Sequence, residues 1–306
     1  MIKNFITHFD QNLLPPKYWS NIDIGATSEE VRLYKDVGLV DELKRDPVFF
    51  SSDEDELECY FLIDLKKSNN NKFYTASGVG GKPSDIEDVW GVRSYSYVST
   101  FRDSVADRTG NDNEPVINGN EGYGEAVIGK SFEFDGQTKL EFTDTDLLGV
   151  SGFTVNMVIK PEFEESDNNE KIIFSNTDTD KNQWVKLIIS DDRKMLVRVK
   201  NSNGLVSEQR SFNIDSGSWY HISLAYNGLD RFSLFVNGEI RTFLTIDPAT
   251  FYAQSNSFLG SGIDSADVYK FKGSVAEFAT VKEQLNADYI FAESRNRITP
   301  QDFFES

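Results

Sequence analysis

The chain has 306 residues, of which 50 are acidic and 31 are basic, and its formal net charge is −19. Nucleic acids and anionic membranes attract basic surfaces, so this charge argues against both as partners and is compatible with neutral sugars or calcium. No apolar run approaches the roughly 20 residues of a membrane-spanning helix. Cys59 is the single cysteine, which excludes an internal disulfide and a cysteine-based metal site.

Residues 1–20 are predicted to form a short amphipathic helix. Its apolar side chains recur at helical spacing and prolines end the pattern: Ile2, Phe5, Ile6, Phe9 and Leu13, then Pro15 and Pro16. Such a helix either packs on its own domain or serves as a docking arm for a larger assembly. The segment lacks the apolar core of a signal peptide, so we expect synthesis and folding in a cytoplasm.

Residues 21–100 predict a small all-β domain. Strand-like runs occur at Val31–Tyr34, Glu56–Asp64 and Lys72–Ala76, and the run Asn69–Asn71 marks a loop between two of them. Residues 101–122 are crowded with Asp, Asn, Gly and Pro, a composition typical of a loop-rich linker.

The sequence from residue 129 onward predicts a ladder of short strands. These strands are Lys139–Phe142, Phe153–Lys160, Lys171–Ser175, Trp184–Ile189, Met195–Lys200, Gln209–Phe212, Trp219–Tyr226, Arg231–Val236, Glu239–Phe243, Ser257–Leu259 and Phe271–Phe278. A spacing of about 8–12 residues with turn signals between is typical of a β-sandwich or jelly roll. A short helix is predicted over Gln284–Ser294.

Two Asn-Gly dipeptides interrupt the clearest part of this ladder. Asn227-Gly228 separates the strand ending at Tyr226 from the next, and Asn237-Gly238 follows Val236. Asn-Gly suits a type I′ hairpin because both central residues of that turn need a positive φ. The pattern predicts a three-stranded antiparallel meander.

Six short motifs follow one another in order between residues 123 and 292: Phe132–Gly136, Leu148–Val155, Ile159–Pro161, Trp219–Ile222, Phe235–Gly238 and Phe271–Phe278. With these motifs, residues 123–292 resemble the concanavalin A-like lectin/glucanase superfamily in its laminin-G-like form. The resemblance implies a jelly-roll β-sandwich. It also implies that a calcium ion can bind at the rim of the sandwich.

The flanking segments resemble those of a known two-part arrangement. Tyr60–Asp64, Phe73-Tyr74 and Gly80-Gly81 are similar to a small β-domain of unknown function, DUF2341, that often precedes such a sandwich. Asn286–Ser294 and the end of the tail over 293–306 resemble the C-terminal segment of the same arrangement. Proteins of this kind occur as exported surface proteins and as phage virion components. Because this sequence has no export signal, we expect a phage virion component and not an exported surface protein.

We find no catalytic constellation. Glucanases of the superfamily place acidic residues as Glu-x-Asp-x-x-Glu on one strand, where alternate side chains share a face. The acidic run Glu162–Asp167 follows Pro161 and is interpreted as a solvated loop, and Asp53–Glu58 lies in the other domain. The two histidines, His8 and His221, lie far apart in sequence, which argues against a histidine-based metal site or triad.

Two loops offer oxygen ligands that calcium prefers. The candidate ligands are Asp178, Asp180, Asp264 and Asp267. The alternative, which we prefer, is that Asp, Asn and Ser only form turns here. A sugar would stack on an exposed aromatic ring beside an amide, and the candidates for that site are Trp184, Tyr252 and Asn182.

The sequence therefore predicts an all-β protein in which a small N-terminal β-domain precedes a jelly-roll sandwich, with short helices at both ends. The predicted function is that of a non-enzymatic phage virion protein, a tail, baseplate or capsid-surface component. Its sandwich would contact other virion proteins, copies of itself or host glycans, with no cofactor required. A bacterial carbohydrate-binding surface or adhesion protein is the alternative, and a glycoside hydrolase is the third hypothesis.

Overall fold

The computed structural model describes residues 90 and 95–299, apart from 103, 144–145, 165, 179, 181, 248–250, 252–255 and 263–269, and the backbone of five strands before them. The chain divides into two compact units. One comprises Met1–Val92 and Thr299–Ser306, and the other comprises Arg93–Ile298.

The N-terminal unit contains strands, as predicted. They are β1 (Ile2–Phe9), β2 (Arg32–Tyr34), β3 (Arg45–Ser51), β4 (Glu56–Asp64) and β5 (Tyr74–Ala76). β1, β4 and β3 form an antiparallel sheet in that order, and β2 pairs with β5. The resemblance to DUF2341 rests on side chains that lie outside the described part of the chain.

The predicted N-terminal helix is wrong over Ile2–Phe9. This segment is a strand that pairs with β4 from Ile2 opposite Asp64 to Phe9 opposite Leu57. Isoleucine, threonine and phenylalanine all favour strands, and the neighbouring strand supplies a hydrogen-bonding partner that helical periodicity cannot reveal. Residues 10–20 lie outside the described residues.

Residues 93–298 form a sandwich of two antiparallel sheets. The eight-stranded sheet contains β6 (Tyr95–Ser99), β8 (Tyr123–Glu125), β9 (Lys130–Asp135), β11 (Phe153–Pro161), β16 (Tyr220–Tyr226), β17 (Arg231–Val236), β18 (Glu239–Thr245) and β20 (Lys272–Val281). The seven-stranded sheet contains β7 (Val116–Asn118), β10 (Lys139–Phe142), β12 (Lys171–Thr177), β13 (Trp184–Ile189), β14 (Lys194–Lys200), β15 (Val206–Asn213) and β19 (Asn256–Leu259).

The strand orders show how the two sheets are connected. The first sheet runs β18-β17-β16-β11-β20-β9-β8, and β6 pairs with the second half of β20, beyond the part that pairs with β9. The second sheet runs β15-β14-β13-β12-β19-β10-β7. The chain crosses between sheets after β10 and again after β11, which places the β11–β12 connection at the rim.

The predicted sandwich strands are confirmed, and three of them keep the predicted bounds: Lys139–Phe142, Trp184–Ile189 and Arg231–Val236. The mostly β fold class is confirmed with them. Two strands lie before the predicted start at residue 123. β6 pairs with β20, and β7, within the predicted linker, pairs with β10. Their short lengths and flanking polar residues hide them from a strand pattern.

One of the two Asn-Gly turns has the predicted geometry. Asn237 and Gly238 have φ angles of 52° and 79°, as a type I′ turn requires. The prediction is wrong for Asn227-Gly228, where only the glycine has a positive φ. Here the side-chain oxygen of Asn227 accepts the backbone N–H groups of residues 229, 230 and 231, which builds a longer loop. The meander β16-β17-β18 forms as predicted.

The core between the sheets is rich in aromatic side chains. Tyr226 stacks on Phe232 with ring centroids 4.4 Å apart, and Tyr97 meets Phe142 edge-on at 4.9 Å. Apolar residues from both sheets complete it, including Val155, Met157, Ile173, Val185, Leu187, Ile222, Leu224 and Val275. Burial of this apolar surface is the main source of stability for the sandwich.

The outer face of the eight-stranded sheet is covered by helix α1 (Ala287–Ile298). Asn286 caps its first turn by accepting the backbone N–H of Tyr289 at 2.8 Å. The helix lies close to β16 and its Phe291 lies against Gly238. This confirms the predicted C-terminal helix, which extends beyond Ser294. Across the described residues, no helix is both long and apolar enough to cross a lipid bilayer.

Candidate functional site

A cleft lies at the rim of the sandwich, where β11 ends and β12 begins. The segment between them, residues 162–170, crosses from one sheet to the other. The backbone N–H of Glu162 donates to the carbonyl of Lys272 at 2.9 Å, and that of Gly217 donates to the carbonyl of Pro161 at 2.8 Å. These bonds hold the start of the segment between β20 and the loop that precedes β16.

Asp167 organises the second half of this segment. Its carboxylate accepts the backbone N–H of Asn169 at 3.1 Å and pairs with the Lys171 ammonium at 2.7 Å. Partial desolvation raises the pKa of Asp167, but the hydrogen bonds from Lys171 and Asn169 outweigh it and hold that pKa below its usual range. Asp167 is therefore charged near neutral pH, and its carboxylate is occupied by Asn169 and Lys171.

The cleft has a volume of about 690 Å³ and is open to solvent. Its lining is Gly136, Glu162, Phe163, Glu164, Asp167, Asn169, Lys171, Ser216, Gly217, Lys270 and Lys272. Phe163 is half-buried, its backbone N–H donates to the Ser216 hydroxyl at 3.0 Å, and the Arg193 guanidinium lies 5.3 Å from its ring. Phe163 thus lines the cleft among polar groups, and its side chain also packs against the sandwich core.

Some charged groups of the cleft bind neighbouring groups and others do not. Lys270 donates to the carbonyl of Gln137 at 3.1 Å, whereas Glu162, Glu164 and Lys272 are exposed and form no side-chain hydrogen bond or ion pair within the described residues. Carboxylates accept and ammonium groups donate hydrogen bonds. The cleft can therefore bind a ligand that presents several hydroxyl groups.

A family model described as the concanavalin A-like lectin/glucanases superfamily matches residues 134–291, just over half of the chain. The chain belongs to this superfamily. No curated protein gives a significant match. The match lies within the range that the sequence motifs indicated, and the jelly-roll assignment is confirmed.

Several solved structures have the same fold as the sandwich of this chain. Domain 4 of AbnA, a GH43 extracellular arabinanase from Geobacillus stearothermophilus solved with arabinotriose, is 21% identical with a TM-score of 0.55, over 65% of this chain and 97% of that domain. The binding domain of Paraclostridial mosquitocidal protein 1 is 15% identical with a TM-score of 0.56, over 69% and 52%.

A third similar structure belongs to botulinum neurotoxin type C, whose cell entry depends on interaction with two ganglioside molecules. It is 12% identical with a TM-score of 0.54, over 69% of this chain and 52% of that one. The chain therefore spans about half the length of the toxin structures it matches. At identities this low, the structural similarity shows a shared fold and nothing more.

The two described candidate calcium ligands, Asp178 and Asp180, lie away from the cleft. β12 runs from Lys171 at the cleft to Thr177, so the loop that begins at Asp178 lies at the opposite end of the strand. The Asp178 carboxylate accepts the backbone N–H groups of Asn182 at 2.6 Å and Gln183 at 3.3 Å, the behaviour of a turn former. Asp180 is exposed. No group of three potential metal ligands occurs in the described part of the chain.

The two described sugar-binding candidates, Trp184 and Asn182, also do not line the cleft. Trp184 begins β13, is half-buried, and has the Lys186 ammonium 4.7 Å from its ring centroid. Asn182 is exposed in the loop before it. Tyr252, Asp264 and Asp267 lie outside the described residues. The described candidates thus form a second rim surface away from the cleft.

The cleft residues carried only a weak signal in the sequence. Glu162 and Glu164 belong to an acidic run typical of a solvated loop, and they are indeed exposed. Ser216 and Lys272 come from distant parts of the chain, and only the fold brings them to the same opening. The signal that could have identified the site is Pro161 at a strand end followed by mixed acidic, amide and aromatic residues.

Proposed function

We propose that this protein is a non-enzymatic, carbohydrate-binding component of a phage virion and that the rim cleft is its glycan site. The sandwich fold is that of a superfamily of lectins and glucanases. The arabinanase domain with arabinotriose and the neurotoxin that interacts with gangliosides are both carbohydrate-associated relatives. Each supports a glycan ligand here.

The observation that carries the glycan assignment is the composition of the cleft. Its volume of about 690 Å³ falls in the range of roughly 300–1,000 Å³ that small-ligand sites occupy. Within the described residues, some carboxylate and ammonium groups of the cleft form no side-chain hydrogen bond or ion pair. These groups offer acceptors and donors for sugar hydroxyls beside Phe163. The net charge of −19 supports the same choice because it disfavours nucleic acid and anionic membrane.

The virion assignment rests on the resemblance of the segments flanking the sandwich to DUF2341 and to the C-terminal segment of the same arrangement, which occurs in phage virion components. Mass spectrometry of purified particles tests this assignment directly. Detection of the chain as a stoichiometric component supports a tail, baseplate or capsid-surface position. If the chain is absent from particles and is recovered from a bacterial surface, the virion assignment is wrong and the protein is a bacterial adhesion protein.

A glycan array tests the binding site. We expect the double variant Glu162→Gln/Glu164→Gln and the single variant Phe163→Ala to lose most of the signal. The first replaces each charged carboxylate with an amide that keeps one neutral acceptor oxygen, and the second removes the aromatic side chain. The variant Trp184→Ala, on the other rim, is the matched control and should bind like the wild type. Loss of signal only in Trp184→Ala would move the site to that rim, and a blank array for the wild type would contradict glycan binding.

The same proteins test the absence of catalysis. We expect no release of reducing sugars from β-glucans or from any glycan that the array identifies. Release of reducing sugars by the wild type, abolished in Glu162→Gln/Glu164→Gln, would instead identify the cleft as the active site of a glycoside hydrolase.

A further inference from the structure

Lys272 is the first residue of β20, and it lines the rim cleft as an exposed residue. Two acidic residues lie beside it. Asp135 of β9 is its partner across the sheet, and the backbone N–H of Glu162 donates to its carbonyl at 2.9 Å. Opposite charges directly across a strand pair attract each other. Within the described residues, however, the Lys272 ammonium forms an ion pair with neither carboxylate.

The Asp135 carboxylate is occupied by the turn that follows it. It accepts the backbone N–H groups of Gln137 and Thr138, each at 2.8 Å, and the side-chain amide of Asn120 at 2.9 Å. Partial desolvation raises the pKa of Asp135, but these hydrogen bonds outweigh it and lower that pKa to about 2. The oxygens of Asp135 thus serve the turn, and the Lys272 ammonium is available to a ligand.

The available charges of the cleft have opposite signs and come from different parts of the chain. Glu162 and Glu164 belong to the connection between β11 and β12, whereas Lys272 begins β20. Another acid and base of the lining, Asp167 and Lys171, already pair with each other at 2.7 Å. A ligand that enters the cleft therefore meets an acidic wall and a basic group.

This arrangement restricts the charge of a ligand. A charged group that loses water on binding needs an opposite charge or hydrogen bonds in return. A purely anionic ligand would meet Glu162 and Glu164, and the net charge of −19 would also repel it. A purely cationic ligand would meet Lys272, and a neutral ligand would leave all three groups without a counter-charge. A ligand with charges of both signs satisfies the whole set.

We propose that the rim cleft binds zwitterionic glycans, in which a free amino group and an acidic group lie on the same or neighbouring sugar rings. The amino group donates to Glu162 and Glu164, and the acidic group accepts from Lys272. Hydrogen bonds between charged groups are roughly twice as strong as those between neutral groups. The proposal rests on the proposed function, because it names the class of glycan that the same cleft takes.

Isothermal titration calorimetry of the full-length protein with four matched disaccharides tests this class. The zwitterionic probe is a uronic acid linked to glucosamine, and its N-acetylated form keeps only the acid. A disaccharide of two glucosamines carries only amines, and its fully N-acetylated form is neutral. We expect the zwitterionic probe to bind at least about tenfold more tightly than each of the others, because each of them lacks a charged partner for one wall.

Two variants separate the two charges of the ligand. Lys272→Gln should bind the zwitterionic probe and the glucosamine disaccharide alike, because the uronic acid no longer meets a cation. Glu162→Gln/Glu164→Gln should bind the zwitterionic probe and its N-acetylated form alike, because the amine no longer meets a carboxylate. Lys282→Gln makes the same charge change just past the other end of β20 and should keep the wild-type preference. Thermal unfolding shows whether each variant is folded.

Equal or tighter binding of the neutral disaccharide by the wild type would overturn the zwitterionic assignment and leave glycan binding intact. Wild-type preferences in both cleft variants would also overturn it, because the charges would then play no part. If the zwitterionic probe does not bind, the assignment is wrong, and the glycan array shows whether glycan binding fails with it. A blank array contradicts both proposals, whereas array signals from neutral glycans alone contradict only the zwitterionic one.

Discussion

Arg297 places a positive charge in the interior, between helix α1 and the outer face of the eight-stranded sheet. Its guanidinium pairs with Glu277 at 2.8 Å and with Glu293 at 3.4 Å, and these three side chains are between 1% and 4% exposed. Asn156 donates to the second oxygen of Glu293 at 3.0 Å. A buried charge is tolerated only when it is paired and hydrogen-bonded, so this network ties the helix to the sheet.

Replacing Arg297 with leucine should therefore destabilise the sandwich strongly. The change leaves two buried carboxylates without their cation, and we expect a loss of about 3–5 kcal/mol in the free energy of unfolding. Urea denaturation measures it. Lys194→Gln removes an exposed ion pair with Asp192 and is the control, with an expected loss below about 1 kcal/mol. Equal losses would contradict a structural role for the buried network.

His221 lies beneath the same helix with no exposed surface. Neither ring nitrogen has a hydrogen-bond partner within the described residues. Burial lowers the pKa of His221 well below its usual value, and the charge of Arg297 lowers it further. The imidazole is consequently neutral in the folded protein at neutral pH.

This depressed pKa predicts acid sensitivity. The unfolded chain binds a proton on His221 below about pH 6.5, whereas the folded chain resists doing so, so stability is lost as the pH falls below about 6.5. We expect His221→Leu to lose less stability than the wild type over that range, measured by urea denaturation at several pH values. Parallel pH profiles for the two proteins would show that His221 does not contribute.

At the scale of the elements, two glycines with the same backbone angle have different surroundings. Gly228 and Gly204 have φ angles of 74° and 76°. A Cβ on Gly228 would lie 2.2 Å from the carbonyl oxygen of Ser151, while nothing lies within 4 Å of one on Gly204. The loop after β16 therefore fits closely against the segment that precedes β11.

The matched alanine variants separate backbone strain from close packing. Gly204→Ala should cost about 1 kcal/mol, because only the left-handed conformation opposes it. Gly228→Ala should cost about 3 kcal/mol or more, because the backbone of Ser151 must also shift. Thermal or urea unfolding compares them. Similar losses would indicate that the loop adapts easily to the added methyl group.

Most strands of the sandwich were predictable because they carry their own alternation or apolar run. Arg231–Val236 keeps its predicted bounds for this reason. Ile2–Phe9 was not predictable, because its apolar spacing fits a helix and only pairing with Glu56–Asp64 makes it a strand. Asn227 shows the same limit at a turn, since its side chain forms three hydrogen bonds that the dipeptide alone does not reveal.

At the scale of the whole molecule, the compact unit that holds the sandwich is larger than the range the motifs indicated. It extends over Arg93–Ile298, so it includes β6, β7 and the end of α1 with Arg297. A fragment of residues 93–298 should fold alone and unfold in one cooperative transition. A fragment of residues 123–292 should be unfolded or aggregated, because it loses two strands and the buried ion pair of Glu277 with Arg297. Circular dichroism and thermal melts compare the two, and equal stability would contradict the larger boundary.

The candidate site was less predictable than the fold. The described residues proposed from loop composition, Asp178, Asp180, Asn182 and Trp184, lie at the end of β12 opposite the cleft. The cleft itself joins Glu162, Ser216 and Lys272, which are distant in sequence. Loop composition identifies residues that are exposed and polar, but it does not show which loops share an end of the sandwich.

The sequence by itself determined that this protein is an acidic, mostly β chain with a concanavalin A-like sandwich and an antiparallel meander. Alternation, the Asn237-Gly238 turn and ordered motifs are local properties, and local residues are enough to specify them. Only the tertiary structure decided that residues 2–9 form a strand, that a helix covers a polar sheet face, and that the rim cleft forms at the β11–β12 connection. Those features depend on contacts between residues far apart in the chain, which strand pairing and packing establish.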